Sequence, residues 1–455
     1  MEVKGKVVVV IGAGKSGMAA AQFLASHGSR VYLNDIKTRE NFEERSLHNL
    51  EKMGITLLLG AHGDIAGLQP DLVIVSPGVP LTIPPVAEAR ERNIPVWSEM
   101  ELASRFTKAP MIVVTGTNGK TTTTALIGQI MEDAGFKTFV GGNIGVPFIS
   151  EAEKLQPQDV AVLEASSFQL ETTESFKPFI SLILNITPDH IDWHGSLEGY
   201  IKAKAKIFAR QDEKDWLIVN GDDRETRALA GLAKAKVLFF SRKHILEEGI
   251  CVENGYLVVK LEGKTVPVIK PEEIFIKGSH NLENALAAVG AGWLMGVSAE
   301  SLERSLRTFP GVPHRLEPVL TIDGVRYIND SKGTNPDASI KALEAYPDPI
   351  ILIAGGKSKG SDFTSFAEMI KDRVKALVLV GQAAGEIEEA VKKTGYYNYY
   401  RVETFKDAVH KARDLANQGD IVLLSPACAS FDMFRSYEHR GEVFKELVHE
   451  LAKNS

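Results

Sequence analysis

The chain has 455 residues, 44% of them hydrophobic and 24% charged, which is an ordinary soluble composition with enough length for about three domains. Its formal net charge of −7 supplies no basic excess to replace the counterions of a nucleic-acid backbone. Its two cysteines, Cys251 and Cys428, exclude a disulfide framework and fit a reducing compartment.

In chain order, short β-branched runs alternate with helical patterns and glycine-rich junctions, the pattern of parallel α/β units. Val7 to Ile11 reads as a strand, followed by Gly12-Ala13-Gly14-Lys15-Ser16-Gly17 and a helix from Met18 to His27. That apolar run is too short for a secretory signal, and no later stretch is long enough to span a membrane, so a cytoplasmic protein with no membrane partner is expected. The next strand ends at Asn34-Asp35, which completes a Gly-x-Gly-x-x-Gly fingerprint with an acidic residue downstream. Such a loop places a diphosphate on a helix N-terminus without saying which nucleoside carries it. Read alone, it leaves open an NAD-dependent dehydrogenase, or a tight turn that binds nothing. Strand Leu72 to Val75 brings Ser76-Pro77-Gly78 to the same sheet edge.

A break near Trp97-Ser98 precedes a helical stretch, Glu99 to Lys108. Strand Met111 to Val114 then runs into Thr115-Gly116-Thr117-Asn118-Gly119-Lys120-Thr121-Thr122. Glycines let backbone N–H groups curl around phosphates, Lys120 reaches terminal phosphates, and the Thr121 hydroxyl suits Mg²⁺. Val114 stands where the usual phosphate loop has its first Gly, so this is the shorter G-x-x-G-K-[ST] form.

Strand Val160 to Leu163 ends in Glu164-Ala165-Ser166-Ser167-Phe168-Gln169, and an acid there can hold Mg²⁺ with Thr121; capping a helix is its other reading. Strand Ser181 to Asn185 leads to Asp189-His190, where His190 suits a metal or a substrate. Tyr200 to Ile207 is helical, with Tyr200 and Lys204 on one face, and from the sequence alone that face reads as solvated and basic. Asn281 and Asn284 share a helix face and suit either a purine edge or capping.

After helix Ala299 to Arg307, Phe309-Pro310-Gly311-Val312-Pro313 reads as a second linker. The domains expected are 1–98, 99–310 and 311–455. In the last, strands ending at Asn329, Ala354 and Leu424 lead into Asp330 to Pro336, Gly355 to Gly360 and Ser425 to Asp432. In a parallel sheet these loops gather at one edge as a site for an anionic small molecule. Cys428 has no His–acid partner pattern and reads as a packing cysteine.

Together the phosphate loop, Glu164 to Gln169, Asp189-His190, His280 to Asn284, Asp330 to Asn335 and Ser425 to Asp432 resemble the Mur ligases over essentially the whole chain. These enzymes form amide bonds in peptidoglycan precursor synthesis at the expense of ATP. The match is to the D-glutamate-adding branch; the alanine-adding branch usually has His in place of Asn118, and the diamino-acid-adding branch has an Asp-Asn-Pro-Arg motif absent here. The resemblance implies an α/β fold of three mainly parallel sheets with helices: Rossmann-like N-terminal, central P-loop ATPase-like, Rossmann-like C-terminal. It further implies addition of D-glutamate to UDP-N-acetylmuramoyl-L-alanine through an acyl phosphate, by a monomer.

By residue, the resemblance puts ATP on Gly116, Thr117, Asn118, Gly119, Lys120, Thr121, Thr122, Asn281, Asn284, Arg315 and Asp330. The UDP substrate falls to Gly14, Lys15, Ser16, Asp35, Lys37, Ser76, Asn143 and His190; relatives often carry Asp-Thr-Arg where this chain has Asp35-Ile36-Lys37. D-Glutamate falls to Lys332, Thr334, Lys359, Ser430 and Tyr437, the last commonly Phe in relatives. Two Mg²⁺ ions would use Thr121, Glu164, His190 and Lys204, with Lys204 carbamylated by CO₂. Lys120, Glu164, His190 and Lys204 would carry the chemistry. A non-catalytic nucleotide-binding regulator and an alanine-adding ligase remain the alternatives.

Overall fold

Three sheets organise the chain in a computed structural model that describes residues 3–62, 65–358 and 360–453, with the side chains of Ala66 and Asp192 left out. The first sheet comprises β1 (Val7–Ile11), β2 (Arg30–Asp35), β3 (Thr56–Leu59), β4 (Leu72–Val75) and β5 (Val96–Ser98). They are all parallel, in the order β3-β2-β1-β4-β5. Because β1 lies between β2 and β4, the loops after these three strands meet at one carboxyl edge, where ligands of open α/β sheets bind.

The second sheet holds β6 (Met111–Thr115), β7 (Thr138–Gly142), β8 (Val160–Glu164), β9 (Ile180–Ile183), β10 (Trp216–Asn220), β11 (Lys236–Ser241), β12 (Gly249–Glu253), β13 (Tyr256–Leu261) and β14 (Lys264–Ile269). Its order is β14-β13-β12-β11-β10-β9-β6-β8-β7. β7 to β12 run parallel, and β13 and β14 continue as antiparallel hairpins. β6 is buried at all five positions, as the apolar run Met111 to Val114 requires of a strand covered on both faces, and the hydroxyl of buried Thr115 donates to the Ala165 carbonyl. Flanked by β8 and β9, it sits at the switch point of the sheet.

The third sheet comprises β15 (Glu317–Ile322), β16 (Val325–Asn329), β17 (Ile350–Gly355), β18 (Val374–Val380), β19 (Tyr399–Arg401) and β20 (Ile421–Leu424), in the order β15-β16-β20-β17-β18-β19. Only β15 is antiparallel. With β20 between β16 and β17, the three loops expected to gather do so.

The chain divides into two compact units, one of residues 1–274 and 283–309, the other of 275–282 and 310–455. In the first, one apolar core joins both sheets: Val8 and Leu24 belong to the same buried cluster as Val113, Phe148 and Phe208. Trp97 and Ser98, read as a break, end β5 and are buried. Glu101 just beyond accepts the backbone N–H groups of Glu174, Ser175 and Phe176. In the second unit, apolar residues cover both faces of the third sheet.

Local boundaries moved where capping overrode periodicity. The first helix starts at Lys15, three residues before the apolar stripe, because Gly14 already serves as its N-cap. The helix after Ser98 spans only Glu99–Ser104. β9 stops at Ile183, which releases Asn185 to hydrogen-bond the phosphate loop.

Candidate active site

In the first unit the glycine loop turns where side chains do not fit. Gly12 has φ +96°, and a Cβ there would lie 2.8 Å from Cβ of Ser76. The Ser76 hydroxyl donates to the Gly12 carbonyl at 2.7 Å. Asp35 accepts the Ala13 N–H at 2.7 Å through one carboxylate oxygen and the Lys37 N–H at 2.9 Å through the other. Asp35 thus holds the loop that carries Gly14, Lys15 and Ser16, while Ile36 beside it is 61% exposed.

The phosphate loop follows β6. Gly116 (φ +150°) and Gly119 (φ +85°) take conformations that L side chains rarely adopt. Asn185 clamps Asn118 from both sides, accepting its N–H at 2.8 Å and donating to its carbonyl at 3.0 Å. The Thr117 hydroxyl lies 3.2 Å from the Tyr200 hydroxyl. Lys120 donates to the carbonyls of Gly116 at 3.0 Å and Thr117 at 2.8 Å. The helix Lys120–Asp133 follows its N-cap Gly119, so the positive end of its dipole faces the loop. Thr122 is buried. Asn284, also buried, accepts the Thr123 hydroxyl at 3.2 Å.

Glu164 is not a helix cap; Ser166 fills that role. It ends β8, buried, and accepts the Thr121 hydroxyl at 2.7 Å and the Asn143 amide at 2.8 Å. Hard oxygen donors of this kind suit Mg²⁺, which binds through few carboxylates and takes its remaining ligands from phosphate and water. Among the described residues no three His, Cys, Asp or Glu side chains cluster as a metal cage.

Lys204 corrects the expectation of a solvated face. It is 1% exposed, donates to the Gly116 carbonyl at 2.7 Å and lies 4.4 Å from the centre of the Tyr200 ring. Lys202, on the other face, is the exposed one. Burial, and then the charge of Lys120, push the Lys204 ammonium well below its ordinary pKa, against the pull of Asp189 and Glu164. His190 has φ +52° and caps the single turn Ile191–His194, with its ring edge-on to Phe168 at 4.9 Å.

In the second unit, Asp330 is fully buried and accepts from Arg315 at 3.2 Å, from the Leu316 N–H at 3.3 Å and from the Ser425 hydroxyl at 2.8 Å. Burial raises its pKa against these donors. Lys332 sits 5.5 Å from the centre of the Tyr437 ring. Thr334 is half-buried beside it and Ser430 is buried. Lys359 lies outside the described residues. Asn281 donates to the Lys277 carbonyl at 2.8 Å. Cys428 is buried, as a packing cysteine should be.

Four residues escaped the sequence reading: Asn185, His194, Glu99 and Arg440. Among the described residues Arg440 is the largest fully buried side chain, and its guanidinium donates to the Ser331 hydroxyl and carbonyl and to the Cys428 and Ala429 carbonyls. It ties the loop after β16 to the loop after β20. Between Glu438 and Glu442 it reads in the sequence as one more charge on a solvated helix, and nothing local marks it as buried.

Three family models cover this arrangement: the Mur ligase MurD-like N-terminal domain over residues 6–98, the Mur ligase middle domain over 114–292 and the Mur ligase glutamate ligase domain over 314–428. Curated relatives named UDP-N-acetylmuramoylalanine--D-glutamate ligase align along the full length. That of Pelotomaculum thermopropionicum is 52% identical over 98% of both chains, and that of Desulfitobacterium hafniense 48% identical over 98% of both. The chain belongs to the Mur ligase family. Among solved structures, UDP-N-acetylmuramate-alanine ligase from Thermotoga maritima shares the fold at 22% identity, with a TM-score of 0.62 over 98% of this chain and 99% of that one. The Thermotoga maritima MurF ligase in complex with ADP does so at 16% identity, with a TM-score of 0.60 over 99% and 96%. As a Mur ligase the chain is an ATP-dependent ligase that uses Mg²⁺, and the dehydrogenase reading of its first glycine loop falls away. Among the described residues no helix is long and apolar enough to cross a membrane.

Proposed function

We propose that this Mur ligase joins D-glutamate to UDP-N-acetylmuramoyl-L-alanine in cytoplasmic peptidoglycan precursor synthesis. The carrying observation is full-length identity of 52% and 48% to relatives that bear this activity in their names. The boundaries we propose are 1–98 for the UDP-substrate domain, 99–310 for the ATP domain and 311–455 for the amino-acid domain, in a monomer.

A carboxylate is a poor acyl donor. Transfer of the γ-phosphoryl group of ATP to the alanyl carboxylate creates an acyl phosphate with a good leaving group. The D-glutamate amine attacks the acyl carbon, and the tetrahedral intermediate expels phosphate to leave the amide. No protein nucleophile is required, so the residues position and neutralise. Lys120 swings from the loop carbonyls to the phosphates. Asn281, Asn284, Arg315 and Asp330 bind the rest of ATP. Gly14, Lys15 and Ser16 present backbone to the diphosphate, Asp35 and Lys37 flank the uracil, and Ser76, Asn143 and His190 meet the muramoyl part. Lys332, Thr334, Lys359, Ser430 and Tyr437 receive the two carboxylates of D-glutamate. Two Mg²⁺ ions, when bound at Thr121, Glu164, His190 and Lys204, offset phosphate charge.

Lys204 enters that set as a carbamate. Burial beside Lys120 favours its neutral amine. The amine lone pair attacks the carbon of CO₂, a C–N bond forms as one C=O π bond opens onto its oxygen, and one amine proton leaves to solvent, which converts a buried neutral amine into an anionic ligand.

Phosphate release from ATP tests the assignment. It should require both UDP-N-acetylmuramoyl-L-alanine and D-glutamate, and L-glutamate should fail. Activity with UDP-N-acetylmuramic acid and L-alanine would instead place the enzyme in the alanine-adding branch. Lys332→Ala and Ser430→Ala should raise the KM for D-glutamate about 10–100-fold while sparing that for ATP. The reverse pattern would remove those residues from the amino-acid pocket.

A further inference from the structure

His194 is absent from the roles assigned above, yet it lies between two of the groups they name. Its side chain is 1% exposed. On one side it stacks on Phe168 at 5.6 Å and 12°, and Phe168 meets His190 edge-on at 4.9 Å. On the other it lies 5.4 Å from the Tyr200 ring, and Tyr200 contacts both Lys204 and the Thr117 hydroxyl of the phosphate loop. The ring nitrogens are also engaged. Nε2 is 3.0 Å from the Ser167 hydroxyl, and Nδ1 faces the Glu171 carboxylate at 3.6 Å. A carboxylate only accepts, so the proton is assigned to Nδ1, and Nε2 accepts from Ser167.

The turn that carries His190 needs such a hold. Ile191–His194 is a single helical turn between two residues in the left-handed region, His190 at φ +52° and Gly195 at φ +74°. One turn has no cooperative stability of its own, and a histidine at positive φ carries a conformational cost. What fixes it is side-chain contact: Trp193 lies edge-on to Phe168 at 4.7 Å and donates to Glu171 at 3.3 Å, and His194 stacks behind. We infer that His194 is a positioning residue for the ligase reaction, holding the His190 imidazole and the Tyr200–Lys204 pair in register through stacked rings. The inference rests on the assignment of His190 to the muramoyl substrate.

The test compares four variants by steady-state kinetics, with the unfolding midpoint of each measured alongside. His194→Ala should raise the KM for UDP-N-acetylmuramoyl-L-alanine about ten-fold and leave that for ATP within about two-fold. His194→Phe keeps both ring contacts and should recover most of the loss. His190→Ala should raise the same KM, and His190→Ala/His194→Ala should be no worse than His190→Ala alone, because a positioning residue has nothing left to position. A normal KM in His194→Ala beside a raised one in His190→Ala overturns the inference and leaves the His190 assignment standing. A normal KM in His190→Ala overturns that assignment and the inference with it. Equal loss for all three substrates in step with a lowered midpoint, or no recovery in His194→Phe, reduces His194 to a core residue and overturns the inference.

Discussion

Lys120 and Lys204 deliver their ammonium groups to the same oxygen, the Gly116 carbonyl, at 3.0 and 2.7 Å. Two cations on one acceptor repel each other, and only Lys120 has access to solvent. The cost falls on Lys204, whose folded pKa drops well below 10.5 while the unfolded chain keeps the ordinary value. Between those two values the unfolded state binds more protons, so stability rises with pH across that window. Replacing Lys204 with Met removes the titrating group and with it the cost of stripping the proton from a buried amine. In the absence of substrates and divalent ions, Lys204→Met should unfold about 2–4 °C higher than the parent at pH 7. The gain should shrink as pH approaches 10.5. Calorimetry across that range checks both, and a midpoint lowered at pH 7 would mean that the ammonium is better solvated than its surroundings imply. Turnover should be lost, with partial recovery of Lys204→Ala by acetate.

Glu99 gives the opposite pH dependence. Its carboxyl is fully buried, and the Ile149 N–H is its hydrogen-bond donor; its second oxygen has no hydrogen-bond partner among the described residues. Burial pushes its pKa up to about 7, against 4.5 for an ordinary glutamate. The folded state therefore holds a proton that the unfolded state has lost above pH 4.5, and stability falls as pH rises from there through about 7. Glu99→Gln keeps the acceptor for Ile149 and cannot ionise. It should gain about 1–2 kcal/mol at pH 8, less than the full ionisation cost because its amide hydrogens lack acceptors, and should gain nothing at pH 5. Urea unfolding at the two pH values measures the difference, and an equal effect at both would show that Glu99 is charged throughout.

How far the sequence went depends on how local each signal is. The strand–glycine–helix junctions at Gly12 and Gly116 are written in contiguous residues, and both folded as their spacing predicts. Three loops after β16, β17 and β20 were readable because parallel strands send their loops to one edge. Lys204 was misjudged because helical periodicity placed it among Lys202 and Lys206 on a basic helix, and only the packing of Tyr200 under the phosphate loop turns it inward. Asn185 was read as the end of a strand; its amide instead replaces ladder bonds with bonds to Asn118. His194 and Arg440 act through partners 27 and 109 residues away in sequence, a distance at which composition and spacing carry nothing.

Arg440 tests whether the loops around the proposed amino-acid pocket depend on a buried cation. Burial lowers its pKa to about 10, and its guanidinium donates to a hydroxyl and to backbone carbonyls. Its contribution is geometric: a planar fork reaches carbonyls on two loops at once, which a lysine ammonium cannot reproduce. Arg440→Lys should destabilise the chain by about 2–4 kcal/mol, since carbonyls of Ser331, Cys428 and Ala429 lose donors. The KM for D-glutamate should rise more than that for ATP. A stable variant with an unchanged KM would show that water fills the gap and that the loops hold their own shape.

Gly119 and Asn284 couple the phosphate loop to the helix Ser279–Leu294. Gly119 sits at φ +85°, and a Cβ there would collide with Oδ1 of Asn284, the atom that accepts the Thr123 hydroxyl. Gly119→Ala therefore meets two costs, about 1 kcal/mol for an alanine in the left-handed region and a further steric cost. Asn284→Ala loses the Thr123 hydrogen bond, about 1 kcal/mol. Combining them relieves the collision, so the double variant should be more stable than the two single losses predict, by about 1 kcal/mol or more. Nucleotide binding should not follow stability. The first variant distorts the loop and the second deletes a proposed adenine contact, so both should raise the KM for ATP, and the double variant should stay impaired while its stability recovers. Urea unfolding of the four proteins, with ATP kinetics on each, separates the two effects. Strictly additive stabilities would show that the helix moves aside, and a recovered KM for ATP in the double variant would remove Asn284 from the nucleotide site.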